Sequence, residues 1–378
     1  MTHRVYVTAA RRSIVAPRGG ALAHLAPHQL AAPVVQAVLA DAELAFDQVD
    51  EVICGNALGA GGNPARLVAL AAGLPERVAG LSIDRQCCSG LDALLLGQAL
   101  IKSGQANVVI AGGVESYSRR PYRAHHNPDG SQTAYDQPAF TPWPARDPNM
   151  AKAADDLAQK YAIDRHQQDS WAVESHTKAL ASRAYLTTEI CQIETQLTSH
   201  DSYSRQLSHR LCARAKSIHG SVTHANTAVA ADAAAFCVLT SARYATGRSA
   251  TGLSATGRAV QLLGGITTGS NPCLPGLAPV TAIKQVLDRH RLTTTDLSHA
   301  EIMEAFAVQA LACIQGAGLD RNLVNRHGGA LARGHPIAAS GAILAVRLFH
   351  DLRNSGGIGL AAIAAAGGLG TAALLQAD

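Results

Sequence analysis

The chain has 378 residues, is 47% hydrophobic but only 4% aromatic, and carries a formal net charge of +4. That length suffices for two core-forming units and an insertion, and abundant Ala and Gly favour helices packed on sheets through small side chains. The 32 Lys and Arg residues are scattered, with no basic stripe interleaved with aromatics, which argues against nucleic acid as a partner; no run approaches 18 unbroken apolar residues, so no membrane span is expected.

In chain order, RVYVTAA (4–10) reads as a strand and HQLAAPVVQAVLADA (28–42) as a helix. DEVICGNAL (50–58) is a buried strand, NPARLVALAAGL (63–74) a helix stopped at Gly73, and GLSIDR (80–85) a short strand. A helix follows with Ser89 at its start and Gly104 just past its end, the usual cap positions. ANVVIAGGVES (106–116) closes this series as a strand. Such alternation predicts an α/β fold with a partly parallel sheet.

The last third repeats the order. AEIMEAFA (300–307), PIAASGAILAVRLFHDLRNSG and IGLAAIAAAGG mirror the earlier strand, Ser-Gly helix and Gly-Gly-ended strand. The two Ser-Gly helices have nearly equal lengths, so one βα unit occurs twice. This predicts a pseudo-twofold core with the two Ser-Gly turns facing each other. Between the halves, 119–228 is irregular and rich in Pro, His and Asn, then forms two amphipathic helices separated by IDRHQQD. It reads as an inserted loop or lid domain. The domains expected are 1–118 plus 229–253, 119–228 and 254–378.

The start, MTHRVYVTAARRSIVAP, lacks the apolar core of a signal peptide. The eight cysteines form no C-x-x-C pair and no Cys/His zinc pattern, so reduced thiols in a cytoplasm are expected and no metal is assigned. Two of them are adjacent, in RQCCSGL (85–91). A thiol is nucleophilic as thiolate, and a helix N-terminus favours that form; Cys87, at a strand-to-helix turn, is expected to be ionised there. NRHGGALARGHPIAASGA (325–342) places His335 just before the second Ser-Gly turn. If the turns face each other, His335 meets Cys87, and a Cys–His pair is the core of covalent acyl transfer. The cations in ESYSRRPYR (115–123) and ARAKS (213–217) could meet the phosphates of a ligand, but solvated surface is the preferred reading, and the glycine doublets lack any nucleotide-binding context.

Taken together, these stretches resemble the thiolase family, acetyl-CoA acetyltransferase or 3-ketoacyl-CoA thiolase. The likeness includes EVICGNALGAGGNPARLVALAAGLP, CCSGLDALLLGQALIKSGQANVVIAGGVESYS, GSVTHANTAVAADAAA, EAFA and NRHGGALARGHPIAASGA. It implies a five-layer αβαβα fold built from two similar halves. It implies Cys87 as the acyl-carrying nucleophile, with Cys88 as packing. His335 becomes the activating base, and the backbone N–H groups of Cys87 and Ala366 the oxyanion hole. Met150, Ala228, Glu304 and Phe306 fall at substrate or CoA pocket positions. No permanent cofactor is implied; CoA enters as a thioester substrate, acyl-CoA or an acyl-carrier thioester. A homodimer or higher oligomer is implied, built on a sheet edge that ANVVIAG or GLSIDR would supply, and a hetero-complex with other biosynthetic subunits is compatible with it.

The departures from the family matter equally. The second catalytic cysteine of thiolases, the acid/base of the condensation step, is Ala364 here, and the Asn of the Asn-Glu-Ala-Phe motif is Met303. Many relatives have Ser where Ala228 stands, and 196–219 is shortened. Losing a general base costs roughly 10²–10⁴-fold in rate. The leading expectation is therefore an acyltransferase that loads Cys87 and passes the acyl group to a carbon acceptor needing no such base: an electron-rich ring, a stabilised enol or a decarboxylating malonyl-type thioester. The alternatives are a conventional thiolase with a substitute base, His327 or another cysteine; a weakly active scaffold subunit of an acyltransferase complex; and a thioesterase.

Overall fold

The computed structural model describes residues 4–59, 61–193, 198–244 and 259–378. The elements that build the core are β1 (Val5–Arg12), α1 (Pro27–Asp41), β2 (Glu51–Gly55), α2 (Pro64–Ala71), β3 (Ala79–Ile83), α3 (Ser89–Lys102), β4 (Val108–Ser116) and β5 (Ala231–Ser241). After them come β6 (Val260–Gly269), α4 (Ala278–Arg289), β7 (His299–Ile302), α5 (Ala307–Ala317), α6 (Ile337–Ser355), β8 (Gly357–Ala365) and β9 (Leu369–Ala377). The strands lie in the order β7-β8-β9-β6-β1-β5-β4-β2-β3.

The order is a duplication. In the first half β2 runs parallel to β4, which pairs antiparallel with β5, which pairs antiparallel with β1. In the second, β7 is parallel to β8, β8 antiparallel to β9, and β9 antiparallel to β6. The halves join where Tyr6 and Val7 of β1 pair with Gln261 and Val260 of β6. The extra edge strand β3 has as its counterpart only the bridge between Ala300 and Val324.

Burial explains the layers. Every residue of β4 is buried, and its side chains alternate by the two-residue period of a strand. Val109 and Ala111 face a central core with Leu91 and Leu94 of α3, Ile343 and Val346 of α6, and Ile363 and Leu375 from the other half. Val108 and Ile110 face the outside, against Val34 and Val38 of α1 and Val68 of α2. On the far side Ile283 and Val286 of α4 and Ile314 of α5 cover Leu360 and Leu374. The result is the expected αβαβα stack with α3 and α6 in the middle.

Those two helices cross at their Ser-Gly turns. A Cβ on Gly90 would sit 2.5 Å from the Ala338 carbonyl oxygen, and one on Gly341 would sit 2.6 Å from the Leu91 nitrogen. Only glycine permits this approach at both positions, and it brings the residues before each turn together.

Several boundaries differ from expectation. The segment 300–307 is strand only as far as Ile302. The two inserted helices are Met150–Tyr161 and Arg165–Ala181, so most of IDRHQQD is helical. Asp164 caps the second helix by accepting from the Gln167 N–H, and Gln167 returns a bond to the Asp164 N–H, a capping box that overrides local polarity. β4 is interior, not an edge; β3 is the edge. The expected 253/254 domain boundary lies outside the described residues.

Candidate active site

The strand-to-helix turn that delivers Cys87 has Gln86 at φ 53°, a left-handed conformation that non-glycine residues adopt at some cost. The turn is held by Ser89, whose Oγ donates to the Gln86 carbonyl at 2.6 Å and accepts from the Arg85 N–H at 2.8 Å. Cys87 is thereby half-buried while Cys88 is fully buried, its Sγ directed to the Ile363 carbonyl. The adjacent thiols thus divide into one that faces a cavity and one that packs.

Cys87 Sγ lies 3.1 Å from His335 Nε2, and His335 Nδ1 lies 2.7 Å from Ser340 Oγ. Ser340 donates onward to the Pro336 carbonyl at 3.3 Å. With that hydroxyl proton committed, Ser340 accepts from Nδ1–H, which leaves Nε2 as the acceptor for the thiol. The His335 N–H itself donates to the Val229 carbonyl at 2.7 Å, fixing the loop.

The electrostatics correct one expectation. Burial, then the nearby Glu115 carboxylate, push the Cys87 thiol up to about 12. Burial and the Arg333 charge bring His335 down to about 4. The resting pair is therefore thiol and neutral imidazole, not a standing thiolate. Desolvation exceeds the help of the helix start, because the first turn begins only at Ser89 and the cavity around the sulfur is mostly apolar.

That cavity, of about 380 Å³, is lined by Cys87 and His335 together with Met150, Ala228, Phe306, Ala364 and Ala366, so these expected positions converge. Two do not. Glu304 is absent from the lining; it is fully buried behind it, accepting from Trp171 Nε1 at 3.0 Å, Ser175 Oγ at 2.8 Å, Asn325 Nδ2 at 2.7 Å and the Leu331 N–H at 3.1 Å. Met303 is buried in the central core, and its thioether has no hydrogen to donate. His327 also lies away from the cavity, between Ser182 Oγ at 2.8 Å and Asp351 Oδ1 at 3.2 Å, and no cysteine other than Cys87 lines the wall.

Residues that sequence reasoning passed over complete the site. Tyr117 and Arg123, from the stretch read as solvated surface, line the cavity, as do Phe140, Leu157 and Gln309. Arg123 Nη2 donates to the carbonyls of Ala57 at 3.1 Å and Leu58 at 2.6 Å. Ser340 was signalled by its Ser-Gly turn, but its partnership with His335 depends on the helix that begins between them. Among the described residues no cluster of His, Cys, Asp and Glu could hold a metal ion, and no helix is long and apolar enough to cross a membrane.

A two-half αβαβα fold with a Cys–His pair between its central helices defines an acyl-transferring enzyme. The family model of the thiolase N-terminal domain matches residues 5–243, and that of the thiolase C-terminal domain residues 258–377. The chain is 37% identical over 377 residues to the Bacillus subtilis protein named "Putative acetyl-CoA C-acetyltransferase YhfS", covering 97% of each. It is 34% identical over 383 residues to a Staphylococcus aureus protein of the same name with the suffix VraB, covering 98% of this chain and 99% of the other. The crystal structure of the Bacillus anthracis acetyl-CoA acetyltransferase superposes with a TM-score of 0.90 at 32% identity, covering 100% of this chain and 99% of that one. The chain belongs to the thiolase family, and it is an acyltransferase.

Proposed function

We propose that the protein takes an acyl group from acyl-CoA, or a related thioester, onto Cys87 and passes it to a carbon acceptor in a biosynthetic C–C bond-forming step. The observation that carries this reading is the 3.1 Å Sγ–Nε2 contact at the wall of a cavity that also presents Ala364.

Loading begins as His335 Nε2 takes the thiol proton while the sulfur attacks the thioester carbonyl carbon. The N–H groups of Cys87 and Ala366 serve as donors to the oxyanion; each such donor contributes about 3–4 kcal/mol to the transition state. The tetrahedral intermediate expels the CoA thiolate, which recovers the proton from His335. In the second step the acceptor carbon attacks the S-acyl carbonyl, the C–S bond breaks, and the acceptor's proton leaves to His335 and then to sulfur.

His335 is a weak base, held at about 4. It suits an acceptor that releases its proton readily, or one that makes its carbanion by losing CO₂, and does not suit the methyl group of acetyl-CoA. That step is the one the family's second cysteine serves, and Ala364 cannot replace it. Incubation with acetyl-CoA followed by intact mass measurement tests the loading step. The expected result is an acetyl adduct that Cys87→Ala abolishes; no adduct on the wild type, or one that survives the substitution, refutes it. Thiolysis of acetoacetyl-CoA at an ordinary thiolase rate would instead support the conventional reaction. The subunits are proposed to associate as dimers through the exposed edge strand β3.

A further inference from the structure

Glu115 lies one residue from the end of β4, at 0% exposure. Its carboxylate is surrounded by N–H donors and none of these is cationic. Asn56 Nδ2 at 2.9 Å and the Leu58 N–H at 3.2 Å donate to Oε1. The Ala57 N–H at 3.1 Å and the Ala338 N–H at 3.2 Å donate to Oε2. Three of these donors belong to the loop after β2, where Ala57 and Leu58 line the cavity. The fourth belongs to the first turn of α6, just past His335. The Ala338 carbonyl is also the group that meets Gly90 of the helix following Cys87. One buried carboxylate therefore ties the cavity wall to the segment that carries the base, against the helix that presents the nucleophile.

The charge acts as well as the geometry. After burial, Glu115 is the largest influence holding the proton on Cys87. A carboxylate satisfied by four N–H groups retains part of its field at the sulfur, because the interior screens it weakly. A thiol that stays protonated alone, and loses its proton only to His335 as a thioester is attacked, resists alkylation and oxidation between turnovers.

We propose that Glu115 is a positioning residue for acyl loading: its four accepted hydrogen bonds fix the Ala57–Leu58 wall and the His335 segment together against the helix that presents Cys87. This rests on Cys87 as the loaded nucleophile, but it has a readout of its own. Glu115→Gln removes the charge and turns an amide N–H₂ toward two of the four donors. Two rates are expected to move in opposite directions. Iodoacetamide alkylation of Cys87 at a fixed pH of about 8.5, above the value of about 7 to which burial raises Glu115 so that the wild-type carboxylate is ionised, should rise about tenfold, the displacement of its pH profile by about one unit. Acetyl loading from acetyl-CoA should fall at least roughly tenfold through lost alignment.

Asn56→Ala removes one donor and leaves the charge, so it should leave the alkylation profile in place. Asn56→Asp sets a second carboxylate against the first and should slow alkylation. Equal acceleration in Glu115→Gln and Asn56→Ala, or an unmoved profile in Glu115→Gln, would overturn the proposal. If Glu115→Gln does not fold, the Asn56 pair decides it: slower alkylation in the Asp variant with an unmoved Ala variant supports it, and any other pattern overturns it. Alkylation needs no acyl donor. A wild type that never loads acetyl therefore defeats the reaction assigned above while the influence of Glu115 on the sulfur is still measured.

Discussion

Ala364 sits opposite Gly370 in the β8–β9 pairing and faces the same cavity as Cys87. On the reaction proposed above, its methyl group offers no second acid/base opposite His335, and a base of that strength suits loading better than removal of a methyl proton from acetyl-CoA. Ala364→Cys should therefore raise acetoacetyl-CoA thiolysis by roughly 10²–10⁴-fold while leaving the Cys87 acetyl adduct intact; an unchanged thiolysis rate with normal loading would show that this position is not what limits the reaction. The state of Cys87 is open to a separate measurement. A thiol pushed up to about 12 exposes its thiolate in proportion to hydroxide, so the alkylation rate should climb about tenfold per pH unit across the neutral range. A level profile there would mean a standing thiolate–imidazolium pair. Sequence singled out Cys87 and His335 because each stands in a short turn just before a Ser-Gly helix, and Ala364 because it lies near the end of a strand just before a Gly-Gly turn. It did not reveal the sulfur's protonation, which depends on burial and on Glu115, a residue far along the chain.

At the scale of elements, periodic segments were legible and edges were not. The duplicated strand–helix–strand order could be read because the Ser-Gly pairs recur at nearly equal spacing, although α3 has 14 residues and α6, which starts before its Ser-Gly pair, has 19. ANVVIAG and GLSIDR, by contrast, look equally suited to a sheet edge. What separates them is pairing: β4 is flanked by β2 and β5, whereas β3 pairs with β2 alone. Leu81 on β3 is 44% exposed, and a strand with one open edge and outward apolar side chains is a template for a second chain. A dimer through this edge should scatter light as twice the 39.2 kDa chain, and Leu81→Lys should return it to the monomer mass. A dimer unaffected by that change would place the interface elsewhere. The capping box at Asp164 shows the complementary failure: a polar run reads as a break, yet reciprocal side-chain bonds make it the first turn of a helix.

At the scale of the whole molecule, the least legible feature is a buried set of charges contributed by β1, α6 and the segment between β4 and β5. Arg12 of β1 bonds Glu189 at 2.6 Å and Asp201 at 2.7 Å, and Arg347 of α6 also bonds Glu189. Nothing local announces such pairs, since their members are more than 150 positions apart. Their titration sets how stability varies with pH. Burial would raise Glu189 and Asp351, but Arg347 with Arg12 for the first, and His327 with Arg347 for the second, hold both near 2; the stability they confer is lost as pH falls below the ordinary carboxylate value. Burial, then Arg205, hold His176 at about 4, and His335 is likewise at about 4. Both remain neutral in the fold while the unfolded chain takes up protons from 6.5 downward, so they also lose stability on acidification.

Carboxylates raised by burial oppose this, Glu301 and Glu115 among them. Burial raises Glu301 to about 8 and Glu115 to about 7. In the fold they keep protons that the unfolded chain releases above 4.5, so their contribution grows as pH falls from 8 to 4.5 and is complete below that. For these six groups together the melting temperature should rise from pH 8 to about 6.5, stay nearly level to about 4.5 where the two histidines and two glutamates offset one another, and fall beneath it. The slope attached to any one group is about 1.4 kcal/mol per pH unit. Glu301→Gln isolates one of them: Glu301 Oε2 is buried without a hydrogen-bond partner among the described residues, and the amide copies the uncharged form. The variant should match the wild type at pH 5 and exceed it at pH 8, flattening the alkaline side of the profile. An unchanged alkaline slope would show that Glu301 is ionised throughout, compensated by Arg333 and Arg347, and that the fall begins in some other group.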